Sequence, residues 1–106
     1  MSDEIRSEPL YVIVRYRLKP EYIERSGLQA GELYSELAAD GPAWLRQASF
    51  ELDDNGGVLA LVQLERDPSA LRDLEPFQRH RGGLAERCAE PPTTTRVRLL
   101  GAYRLF

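Results

Sequence analysis

Cysteine and histidine are almost missing from this chain: Cys88 and His80 are the only examples in 106 residues. A lone cysteine cannot close an intrachain disulfide, so the fold does not depend on an oxidising compartment. One histidine and one cysteine also fall short of the four nitrogen or sulfur ligands of a structural zinc site. No apolar run reaches membrane-spanning length, and the opening stretch Met1 to Glu8 is polar, with no apolar signal core. A cytoplasmic location is the expectation. A basic excess is missing as well. The formal net charge of −3 offers no attraction to a phosphate backbone or an anionic bilayer, so neither nucleic acid nor a membrane is expected as a partner. There is no glycine-rich phosphate loop, nucleophile elbow, internal repeat or low-complexity segment.

What is present is ordinary for a soluble globular chain: 42% hydrophobic and 29% charged residues. The length suits one domain, able to bury roughly 65% of the unfolded surface. Residues 1–8 read as a disordered leader and 9–106 as a single domain.

The alternation Leu10, Val12, Val14, Tyr16, Leu18 against Tyr11, Ile13, Arg15, Arg17 predicts a first strand from Pro9 to Lys19. Pro20 suits the first position of a helix reaching Ala39, whose stripe is Ile23, Gly27, Ala30, Tyr34 and Leu37. Gly27 and Gly31 weaken that helix, and close backbone approach to the sheet would offset them. Asp40-Gly41-Pro42 stops it. A second strand sets Trp44, Ala48, Phe50 and Leu52 against Gln47, Ser49, Glu51 and Asp53. Asp53-Asp54-Asn55-Gly56-Gly57 then signals a hairpin into a third strand, Val58 to Glu65. Asp67 is a good N-cap for a short helix from Pro68 to Leu74. Pro76 separates it from a longer one, about Glu75 to Ala89, with Phe77, Leu84 and Cys88 in one narrow arc. Pro91-Pro92 ends that helix, and a fourth strand is expected from Thr94 to Leu105.

The order β-α-β-β-α-β is the ferredoxin-like motif, an α+β fold with a four-stranded antiparallel sheet and both helices on one face. On the other face Tyr11, Ile13, Leu59, Leu61, Leu100, Ala102 and Phe106 would stay wet in a monomer. An apolar patch of that size marks an interface, and two sheets packed face to face would bury it in a homodimer.

At this point the chain resembles a known group. The first strand ends Arg15-Tyr16-Arg17-Leu18-Lys19-Pro20, a tight hairpin precedes strand three, and the run Val62 to Leu71 leads to His80 about ten residues later. Over residues 9 to 106 this is similar to the dimeric α+β-barrel superfamily, above all the antibiotic biosynthesis monooxygenase type. The resemblance implies oxidation of a phenolic or polycyclic aromatic by O₂, without a cofactor. The chain departs from the pattern in places. The family's Glu-x-Trp pair in strand three is matched by Gln63 and Glu65, and an early helical histidine by Leu74. No asparagine stands between Leu10 and Lys19, which argues against haem degradation.

His80 is the candidate catalytic residue. A neutral imidazole could take a proton from a phenol or hydroquinone; equally, it could be a histidine bonded to a backbone carbonyl at the helix–sheet seam. Tyr16, Tyr34, Trp44, Phe50 and Phe77 could wall an aromatic-binding pocket, or be core. Arg15, with Arg17, Arg96, Arg98 and Arg104, could bind a carboxylate or phenolate, or form rim ion pairs with Glu51 or Glu65. Two alternatives to an oxygenase remain: an isomerase or cyclase on the same dimeric barrel, and a non-catalytic ligand-binding or structural dimer.

Overall fold

The computed structural model describes residues 8–53 and 55–105. The expected leader (but for Glu8), Asp54 of the hairpin and Phe106 of the outer face lie outside them. Alternating β-formers make β1 (Leu10–Leu18). Lys19 is extended, and Pro20 opens one 3-10 turn that runs into α1 (Ile23–Asp40). Gly41 ends α1, its N–H donating to the Leu37 carbonyl at 2.7 Å. A Cβ on Gly41 would collide with that same oxygen, so glycine is required there. After β2 (Leu45–Glu51) the chain reverses through Asn55 and Gly56, both at positive φ (61° and 112°), and returns as β3 (Gly57–Leu64). This is the conformation that an Asn-Gly turn supplies at least cost.

Asp67 caps α2 (Pro68–Arg72), its Oδ1 accepting the Ser69 N–H at 2.9 Å. Then come α3 (Glu75–Arg81), the single turn α4 (Leu84–Arg87) and β4 (Cys88–Val97). The sheet is antiparallel throughout, in the order β2-β3-β1-β4. This is the expected α+β, ferredoxin-like arrangement. Its core joins Leu10, Val62 and Leu64 of the sheet to Leu33 of α1, Leu71 of α2 and Phe77 of α3.

Four expectations need correction. The long second helix stops at Arg81, because Gly82-Gly83 intervenes and Gly83 takes φ 77°; Cys88, expected on a helical stripe, starts β4 instead. The prolines at 91 and 92 do not end anything. They sit within β4, an edge strand, where one missing N–H faces the open edge and the other falls at a shift in the register against β1. β4 ends at Val97, short of the expected Leu105, so Leu100 and Ala102 lie beyond the strand. Gly27 and Gly31 do not approach the sheet closely: a Cβ at either would meet nothing within 4 Å.

The fourth correction is to the faces of β2. Cross-strand partners in an antiparallel pair share a face. Leu45 is paired with Leu64, Gln47 with Val62, Ser49 with Ala60 and Glu51 with Val58, so these β2 residues face the helices. Ala48 and Phe50 pair with Leu61 and Leu59 on the outer face, and Phe50 is 53% exposed. Apolar residues thus point away from the helices. On β1 the register puts Tyr11 and Ile13 on that outer face too, opposite Gln63 and Leu61.

Candidate functional site

Four of the five residues in the apolar stripe of α1 serve as the wall of a cavity. Ile23, Gly27, Ala30 and Tyr34 stand over the sheet at one side of a space of about 300 Å³. Tyr16, Leu18 and Val58 form its sheet side, and His80 reaches it from α3. The absent side chain of Gly27 contributes to that space rather than to a tight helix–sheet contact. Such a volume is at the small end of ligand pockets.

Hydroxyls gather on one side of it. Tyr34 Oη and Ser49 Oγ share a hydrogen bond of 2.6 Å, tying α1 to β2. Ser26, a buried polar residue of α1, lies beside Tyr16. Burial pushes the Tyr16 phenol above its ordinary value, the thiol of Cys88 adds to the rise, and Arg87 and the Ser26 hydroxyl pull the other way. Tyr16 is therefore a neutral hydrogen-bonding group at neutral pH.

His80 is half-buried on the last turn of α3. Burial lowers its pKa from 6.5, and the charges of Arg87 and Arg81 lower it further. Its backbone is fixed: Arg87 Nη2 donates to the His80 carbonyl at 3.0 Å and Nη1 to that of Gly82 at 3.1 Å. Its imidazole makes no hydrogen bond with any described residue. The Arg79–Glu36 ion pair, at 2.6 Å, ties α3 to α1 one residue before it. The outcome is a neutral imidazole with both nitrogens free of partners among the described residues, at the edge of a partly apolar cavity. Such a group can accept a proton from a bound acid.

The structure brings together His80, Tyr16 and Tyr34, with Phe50 bordering the cavity from its place between Ser49 and Glu51. The other expected residues lie elsewhere. Phe77 is buried in the core, and Trp44 packs against that core with the Arg66 guanidinium 5.7 Å from its ring centroid. Arg15 is on the outer face, opposite Leu59 and Thr93, and does not line the cavity. Sequence reasoning missed Ser26, Ser49, Glu24 and Glu51. The α1 stripe pointed at their neighbours, but the inverted faces of β2 hid Ser49 and Glu51. Among the described residues, Glu24 and Glu51 are the only ones of fixed charge lining the cavity, and neither pairs with a described cation.

No family model matches the sequence, and no curated protein matches it. Solved structures do share the fold. Rv0793 from Mycobacterium tuberculosis is 19% identical, with a TM-score of 0.72 over 90% of this chain and 98% of that one. A protein named as an antibiotic biosynthesis monooxygenase is 21% identical, with a TM-score of 0.68 over 87% of this chain and 99% of its own. A conserved protein from Methanosarcina mazei Go1 is 15% identical, with a TM-score of 0.70 over 86% and 92%. At these identities the likeness shows a common fold.

Proposed function

We propose that this chain is a cofactor-independent oxygenase of phenolic aromatic small molecules, with His80 as its base. The observation that carries the reading is the half-buried imidazole, free of hydrogen-bond partners among the described residues and held neutral, beside a cavity of about 300 Å³. A planar phenol lying between the α1 wall and the sheet is held mainly by burial, at about 25 cal/mol per Å². The hydroxyls of Tyr34 and Ser49 orient its polar end. Glu24 and Glu51 oppose a carboxylate-bearing substrate, so the preferred phenol is uncharged or cationic.

His80 takes the phenolic proton, and the electron-rich ring carbon of the phenolate then combines with O₂, the oxidant. The resulting ring hydroperoxide loses its C–H proton and hydroxide as water, leaving a quinone. Overall one phenol and one O₂ give one quinone and one water. Partial exclusion of solvent helps, because a desolvated phenolate is a better reductant than a hydrated one.

A homodimer through the outer face belongs to the same reading. Tyr11, Ile13, Leu59 and Leu61 are half-buried there, and Ala48 and Phe50 are exposed beside them. A second copy would cover this patch. Among the described residues no helix is long and apolar enough to cross a membrane; a cytoplasmic location belongs to the same reading.

Oxygen-electrode assays on a panel of phenols and hydroquinones test the function, with quinone formation followed by absorbance. Stoichiometric O₂ uptake is the expected result. Turnover without O₂ uptake would mean that the same base serves an isomerase or cyclase. Binding without any turnover would make the chain a ligand-binding protein.

A further inference from the structure

A second cavity opens on the helix side of the sheet, under α2 and α3, with a volume of about 370 Å³. It shares no lining residue with the His80 cavity. Its floor is apolar: Leu10, Val12 and Val14 of β1, and Val62 and Leu64 of β3. Four residue steps from Leu10 to Val14 give that floor a length of about 13 Å.

Its charged groups are of one sign. Arg72 of α2, Arg81 of α3 and Arg96 of β4 all line it, and among the described residues no carboxylate does. None of the three forms an ion pair with a described residue, whereas Arg79 has Glu36. Three guanidinium groups with no counter-ion among the described residues converge from three elements on one apolar trough, in a chain whose net charge is −3. Like charges so placed repel one another, and an anion between them removes the repulsion. Guanidinium forks also match a carboxylate in a planar, two-bond geometry.

We propose that this cavity is a binding site for an amphipathic organic acid, whose carboxylate is held by Arg72, Arg81 and Arg96 and whose apolar body lies along the β1–β3 floor. A straight-chain fatty acid and an aryl carboxylic acid present the same chemistry, and the experiment separates them.

Octanoate, 2-naphthoate, octanol and octylamine are titrated into uniformly ¹⁵N-labelled protein and followed by amide shifts. The acids should move Val12, Leu71 and Thr94 while leaving Gly27 and Ser49 in place. The tighter of the two acids identifies the source. Octanoate should bind at least about tenfold more tightly than octanol, and octylamine should not bind. The double variant Arg72→Gln/Arg96→Gln changes two exposed side chains and keeps Arg81, which acts on His80. It should bring octanoate and octanol to within about twofold of each other. Raising salt from about 20 mM to about 300 mM should weaken octanoate by about fivefold in the unaltered protein. Equal binding of acid and alcohol, shifts confined to the His80 cavity, or no shift with any acid would overturn the proposal.

Discussion

The guanidinium of Arg87 donates to the main-chain carbonyl of His80 at 3.0 Å, so a residue of the last helical turn before β4 fixes the C-terminal end of α3. The same cation lowers the pKa of the imidazole, second in effect to burial. Position and protonation of the candidate base thus share one source. Replacing Arg87 with glutamine should raise the His80 pKa toward 6.5, measured by NMR titration of its ring protons. An unchanged pKa would mean that burial and Arg81 set it without Arg87.

The depressed His80 pKa also fixes the sign of two pH effects. The unfolded chain binds a proton at His80 more readily than the folded one does. The neutral-histidine contribution to stability is therefore present above pH 6.5 and is lost as pH falls through the lower folded value. Turnover that needs the free base should follow the same direction, rising with pH along a limb whose pKa lies below 6.5. Rate profiles of kcat/KM check this; an acidic limb with a pKa above 6.5 would contradict it.

Gly31 lies within α1, and a Cβ there would meet nothing within 4 Å. Gly31→Ala should stabilise the protein by about 0.5–1 kcal/mol through helix propensity and a less flexible unfolded chain. Gly56 is the opposite case. Its φ is 112° and a Cβ would lie 3.1 Å from the Leu18 carbonyl oxygen, so Gly56→Ala should destabilise by about 1–3 kcal/mol. Urea denaturation of both variants tests the pair.

Leu61 sits at the middle of the outer face, between Ile13 of β1 and Ala48 of β2. A glutamate there would bury an unpaired charge in any dimer formed across this face. Sedimentation of the unaltered protein should give twice the chain mass of 12.0 kDa, and Leu61→Glu should give the single-chain mass. A native-like dimer from Leu61→Glu would place the interface elsewhere.

The strand–helix order, the Asn-Gly turn, the Asp67 cap and the α1 stripe were legible because each rests on local chemistry. Asp67 needs only Ser69, and Gly56 only its own φ. Two features were not legible, for one shared reason. The faces of β2 depend on which side the polar cavity lies, and Ser49 and Glu51 face the helices because a cavity, rather than a packed core, waits there. β4 accommodates Pro91 and Pro92 because it is an edge strand, a fact set by the whole sheet. Of the site, His80, Tyr16 and Tyr34 could be found from pattern. Arg15, Trp44 and Phe77 are aromatic or charged in the right elements, and only the register and the core contacts show them elsewhere.

His80→Ala asks whether His80 is the base of this cavity, with turnover and ligand affinity measured on the same preparation. Turnover of a phenol accepted by the unaltered protein should be lost, its affinity should change less than about threefold, and stability should fall by no more than about 1–2 kcal/mol. Retained turnover, or a markedly destabilised fold that still binds the phenol, would contradict the assignment and make His80 a structural residue.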